Sequence, residues 1–145
     1  MRICFVCLGN ICRSPMAEFI MKDKVNKLGL SDKYIIESRA TSYEEEGNDM
    51  YPPAKRILDE KSIPYTRHYA KRLEESDYSK FDLFVCMEDA NIRNIRYIFD
   101  DPDKKIIKLL DRDISDPWYT GNFISTYNDL IEGINKLLNV NKDVN

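Results

Sequence analysis

The chain of 145 residues is long enough for one domain with a core of its own, taken here as residues 1–145. Its net charge of −3, with 43% apolar and 32% charged residues, lacks the basic footprint that nucleic acid or an anionic membrane surface requires. No apolar run is long enough to cross a bilayer, and the very short apolar stretch at the N-terminus is not expected to be a signal peptide.

In chain order, Ile3-Cys4-Phe5-Val6 reads as a buried strand. Cys7 to Ser14 follows as a tight loop, and Pro15-Met16-Ala17-Glu18 as the first turn of a helix. That helix is expected from about Ser14 to Leu28, with Ala17, Ile20, Met21, Val25 and Leu28 on one face and Gly29 as its stop. Tyr34 to Ala40 reads as a second strand, and Thr41 to Met50 as a polar loop carrying Glu44, Glu45 and Glu46. Pro52 and Pro53 open a helix that turns Ala54, Ile57 and Leu58 inward. Asp82 to Met87 is apolar enough for a strand covered on both faces. Glu88 to Phe99 reads as a helix with Ile92, Ile95, Ile98 and Phe99 on one side, and Ile106 to Leu110 as a fourth strand. Phe123, Tyr127, Leu130, Ile131, Ile134, Leu137 and Leu138 mark the last helix, and the polar Asn139 to Asn145 is expected to fray. Strands alternating with helices imply a parallel, doubly wound α/β sheet with helices on both faces, whose ligands sit beyond the strand C-termini.

The loop Cys7-Leu8-Gly9-Asn10-Ile11-Cys12-Arg13-Ser14 carries the chemistry. A strand–loop–helix turn points backbone N–H groups inward, and the helix dipole adds partial positive charge, so the loop is a cradle for a phosphate-like dianion. Arg13 offers a planar fork for two phosphate oxygens, and the same field favours thiolate over thiol at Cys7. Gly9 suits close approach of backbone to ligand, and Asn10 tolerates a left-handed conformation. Downstream, Asp116-Pro117-Trp118-Tyr119 follows the fourth strand; Asp116 is the candidate general acid, with Asp113 and Asp111 as competitors and a plain turn-starting role as the bland alternative. Trp118 and Tyr119 are expected to line a slot for a flat ring, against the alternative of a surface aromatic patch or ordinary core packing. Cys4, Cys7 and Cys12 crowd one segment while Cys86 is distant, which suits free thiols in a reducing cytoplasm rather than a disulfide scaffold. Cys4 and Cys86 read as core residues of their strands.

The wording Cys-x-Gly-Asn-Ile-Cys-Arg-Ser-Pro-Met-Ala-Glu, from Cys7 to Glu18, resembles the phosphate loop of low-molecular-weight protein tyrosine phosphatases, and the resemblance runs from Met1 to about Leu138. It implies a single three-layer domain with a four-stranded sheet in order 2-1-3-4. It implies cleavage of phosphotyrosine in proteins or peptides through a thiophosphoryl-enzyme, with inorganic phosphate released and no metal or cofactor. Cys7 would be the nucleophile, Arg13 and the amides from Leu8 to Cys12 the phosphate clamp, and Asp116 the acid. Ser14 would donate to the Cys7 sulfur, against the alternative of a plain helix cap. His68, in His68-Tyr69-Ala70-Lys71, would brace the phosphate loop. Cys12 is either the partner of Cys7 in a protective reversible disulfide, as the resemblance implies, or simply a small buried residue. The Thr41–Met50 loop departs from the pattern: Tyr43 is the nearest aromatic for the pocket wall, and three glutamates follow it. They are either a solvated run or a source of repulsion toward acidic peptides.

Four rival readings stand beside this one. An arsenate reductase needs two further cysteines to pass a disulfide outward, and only Cys86 lies beyond the loop. A sugar-transport phosphocarrier would keep its phosphocysteine, whereas Arg13 with a downstream Asp-Pro points to hydrolysis. A phosphate-dependent binding module has no use for both Cys7 and Asp116. Protein arginine phosphatases of this branch carry Thr where Ile11 stands, and Ile11 favours the apolar flank of a tyrosyl ring.

Overall fold

The computed structural model describes the backbone of residues 1–144 and the side chains of residues 1–139. Four parallel strands form one sheet: β1 (Arg2–Cys7), β2 (Ile35–Ala40), β3 (Leu83–Cys86) and β4 (Ile106–Lys108), in the order β2-β1-β3-β4. The strand order is the one the resemblance implied. Strand periodicity sends the odd residues of β1 to one face and the even ones to the other. Ile3 and Phe5 join a core built with α1 (Arg13–Lys27), α2 (Pro52–Glu60) and α5 (Phe123–Val144). Cys4 and Val6 join a second core with Leu73, Phe81, Phe84 and α3 (Asp89–Ile95). A short helix, α4 (Pro117–Thr120), lies between β4 and α5; the sequence pattern gave no sign of it beyond Asp-Pro.

Several expected boundaries shift for identifiable reasons. Helix α1 closes at Lys27, and Leu28 is 60% exposed rather than inward. The Gly29 N–H bonds the Asn26 carbonyl and the Leu30 N–H reaches back to Val25, with Gly29 at φ 72°, so the chain reverses in a Schellman turn. Leu30 thereby takes the place against the core that helical periodicity assigned to Leu28. Helix α3 stops at Ile95, not Phe99. A tighter turn, with Ile98 and Phe99 both bonded to the Ile95 carbonyl, lays Phe99 against Phe84 and Tyr78, at centroid distances of 5.1 and 5.0 Å. Strand β4 ends at Lys108, although Leu109 still donates to the Cys86 carbonyl and is buried. Helix α5 continues through the stretch expected to fray, as far as Val144; Asn145 lies outside the described residues. It crosses the end of β4 at a glycine: a Cβ on Gly133 would sit 2.3 Å from Leu109 Cγ.

Sheet order reverses between β1 and β3, so the loops after β1, β3 and β4 meet at one edge. That is where ligands bind in open parallel sheets.

Candidate active site

Strand β1 ends on Cys7 and α1 begins at Arg13, so the loop between them has little freedom. Its carbonyls are bonded on the outer side: Cys7 to Thr41 N, Leu8 to Ser42 N, Ile11 to Tyr51 N, and Cys12 to Met16 N, at 2.9–3.1 Å. The Asn10 carbonyl accepts from His68 Nε2 at 2.7 Å. Carbonyls held outward leave the loop amides for the cavity of about 170 Å³ that the loop encircles. Asn10 takes the left-handed conformation expected of it, φ 59°.

A directed chain of hydrogen bonds ends on the Cys7 sulfur. The Ser38 hydroxyl donates to Glu18 Oε1 (2.6 Å) and accepts from Asn10 Nδ2 (3.0 Å). Asn10 Nδ2 also donates to Ser14 Oγ (2.7 Å), which leaves the Ser14 proton for Cys7 Sγ, 2.9 Å away. The Asn10 N–H adds a second donor at 3.3 Å from the sulfur. The helix-cap alternative for Ser14 is excluded, since Cys12 is the N-cap residue and no side chain caps α1.

Arg13 is 2% exposed. Its Nη1 donates to Glu88 Oε2 and the Ile114 carbonyl, both at 2.8 Å, and its Nη2 lies 3.4 Å from Asp116 Oδ2. Burial pulls the guanidinium pKa down, but the charges of Cys7, Glu88 and Asp116 outweigh it, and the net shift is upward. Asp116 caps α4: its Oδ1 accepts from the Trp118 N–H at 3.0 Å, which leaves Oδ2 facing the cavity. Its competitors are elsewhere. Asp113 is held by Lys108 Nζ (2.8 Å) and the Asp89 N–H (3.1 Å), and Asp111 points to solvent.

Leu8, Gly9, Ile11 and Cys12 line the cavity beneath Trp118 and Tyr119, both of which stand at its rim. Tyr43 does not join the wall. It is 65% exposed, with Arg72 stacked 4.5 Å over its ring and donating to its hydroxyl; the wall on that side consists of Glu44 and Glu45. Glu45 is held by Asn48 Nδ2 at 2.7 Å. Burial, and then the neighbouring charges of Cys7 and Asp116, push the Cys12 thiol well above its ordinary pKa. Burial pushes Cys86 up to about 12. Cys4, Cys7, Cys12 and Cys86 are all free.

His68 is buried, and burial holds its pKa below the usual imidazole value of 6.5. The folded chain therefore binds the neutral ring, with the proton on Nε2. A depressed histidine contributes stability above its unfolded pKa of about 6.5 that is lost as pH falls through the folded value. The melting temperature should fall as pH drops below about 6.5. His68→Gln, whose amide can still donate to the Asn10 carbonyl, should show a shallower decline; equal slopes would exclude His68 as the cause.

Sequence reasoning missed Glu88, Ser38 and Glu18. Glu88 had a visible signal, a carboxylate at the C-terminal end of a buried strand. Ser38 had another, a hydroxyl inside a covered strand.

The description of the family model that matches residues 2–145 is low molecular weight phosphotyrosine protein phosphatase. The low molecular weight protein-tyrosine-phosphatase PtpA of Staphylococcus saprophyticus is 35% identical, over 99% of this chain and 96% of its own. A solved structure of SP-PTP, the low molecular weight protein tyrosine phosphatase of Streptococcus pyogenes, is 39% identical, with a TM-score of 0.89 over 95% of this chain and 91% of that one. YfkJ from Bacillus subtilis is 33% identical, with a TM-score of 0.94 over 99% and 95%.

Proposed function

The chain belongs to the low molecular weight phosphotyrosine protein phosphatase family, and on that premise we propose that it hydrolyses phosphotyrosine in proteins or peptides through a phosphocysteine intermediate. The observation that carries this reading is the convergence of Cys7 and Arg13, from the loop after β1, with Asp116, from the distant loop before α4, on one small cavity.

Phosphate oxygens lie on the loop amides from Leu8 to Cys12 and on the Arg13 fork, which exchanges its bond to Asp116 for the dianion. The Cys7 thiolate attacks phosphorus in line: an S–P bond forms, and the bond from phosphorus to the phenolic oxygen breaks. Asp116 gives that oxygen its proton. In the second half Asp116 takes a proton from water, the water oxygen bonds to phosphorus, and the S–P bond returns its electrons to Cys7 as phosphate leaves. Ser14 and the Asn10 amide hold the sulfur's charge, and His68 keeps the Asn10 carbonyl outward. Trp118 and Tyr119 flank the substrate ring, while Ile11 presents it an apolar edge. Glu44 and Glu45 disfavour acidic residues beside the phosphotyrosine. Cys12 keeps the role the resemblance implies, a reserve partner for Cys7 under oxidation. Free, buried thiols favour action in a reducing cytoplasm, by one domain of residues 1–145.

The test is phosphate release from matched phosphotyrosine, phosphoserine and phosphoarginine peptides. Phosphotyrosine should be preferred by at least about 10²-fold in kcat/KM, because the rim is built for a flat ring and a serine phosphate falls short of it. Preference for phosphoarginine would move the chain to the arginine-specific reading, and preference for phosphoserine would overturn the role given to the aromatic rim.

A further inference from the structure

Tyr51 is absent from the cavity lining, yet it touches both halves of the chemistry. Its N–H donates to the Ile11 carbonyl of the phosphate loop at 2.9 Å. Its ring packs on Trp118, with centroids 4.7 Å apart, and on Phe123 at 6.1 Å. Trp118 is the residue whose N–H fixes Asp116 Oδ1, and Phe123 opens α5 just past α4. Among the described residues no other ring packs on Trp118, which is itself 51% exposed. The conformation of Tyr51 is also imposed: Pro52 follows it, so its backbone is confined to the extended region and is found at φ −58°, ψ 134°. The ring is thus presented from a stiff Tyr-Pro-Pro corner rather than from a mobile loop.

We propose that Tyr51 is a positioning residue for proton transfer: its ring braces Trp118, and through the Asp116–Trp118 cap it keeps the Asp116 carboxyl over the phosphate loop. The proposal rests on the reading of Asp116 as general acid. Among the described residues, Tyr51 is the one ring that joins Trp118 at the α4 end of the acid loop to a backbone segment bonded to the phosphate loop. Thr126, which bonds the Ser115 carbonyl at 3.2 Å, steadies that loop only from α5.

The experiment measures kcat/KM for phenyl and nitrophenyl phosphates, whose leaving groups differ in their need for a proton. The loss of one aromatic brace corresponds to about a 2- to 10-fold effect. Tyr51→Ala should lower the phenyl phosphate value by about that factor and leave nitrophenyl phosphate near wild type. Tyr51→Phe should restore it, and inhibition by inorganic phosphate should stay unchanged because the loop-facing N–H remains. In an Asp116→Asn background, Tyr51→Ala should have no further leaving-group-dependent effect. Tyr51→Leu keeps apolar bulk and serves if the alanine variant folds poorly. Equal losses for both substrates, weakened phosphate inhibition, or additivity with Asp116→Asn overturns the proposal alone. An Asp116→Asn enzyme with no leaving-group dependence overturns the acid assignment and the proposal with it.

Discussion

Cys7→Ser should lower turnover of phosphotyrosine peptides by at least about 10⁴-fold, the scale of loss when a covalent nucleophile is removed from an otherwise intact site. The substitution changes one atom. A hydroxyl at that position carries no anion near neutrality, so the donors from Ser14 and the Asn10 amide, aimed at the sulfur, have no charge to stabilise. The cradle itself is untouched, because Arg13 and the outward-bonded carbonyls do not depend on the sulfur. The variant should therefore still bind inorganic phosphate. The chain has a single tryptophan, and Trp118 stands at the cavity rim, so its fluorescence can follow that binding directly. Cys12→Ser is the control. Its thiol is held protonated by burial and by the charges of Cys7 and Asp116, so it cannot stand in as nucleophile, and its replacement should cost only a few-fold. Residual turnover above about one part in 10³ in Cys7→Ser, or equal damage from Cys12→Ser, would overturn the assignment.

The parts of this site that were legible in the sequence are the contiguous ones. Cys7, Arg13 and Ser14 lie on one turn whose geometry follows from a strand running into a helix; Asp116 was legible only beside that loop and the family resemblance, since Asp-Pro alone reads as the start of a turn. What escaped came from elsewhere in the fold. Glu88 reaches Arg13 only because β3 lies beside β1, and Ser38 reaches Asn10 only because β2 lies on its other side. Strand pairing is not written in local periodicity. Leu28 was misplaced because a 3.6-residue repeat cannot anticipate a chain reversal that hands its position to Leu30. Tyr43 was misplaced because composition does not say which side of a loop faces a pocket; Arg72, twenty-nine residues on, captures the ring instead.

Asp116→Asn separates the acid from the architecture. Asparagine retains an oxygen for the Trp118 N–H, so α4 keeps its cap and the rim its shape, while the transferable proton is gone. General acid catalysis contributes about 10²- to 10⁴-fold, and kcat/KM for phenyl phosphate should fall within that range. Nitrophenyl phosphate, whose phenoxide departs without a proton, should lose far less by the same measure. The two constants then diverge in an informative way. The ratio kcat/KM ends with phosphoryl transfer to sulfur, whereas kcat also contains attack by water, for which Asp116 serves as base. With nitrophenyl phosphate the variant should therefore release one equivalent of nitrophenolate in a burst and then turn over slowly, as phosphocysteine accumulates. Removing Asp116 also relieves Arg13 of one of its two carboxylates, so phosphate should bind no more weakly than in wild type. A uniform fall across both substrates with no burst would mean that Asp116 serves only as the cap of α4, and that the proton comes from another group.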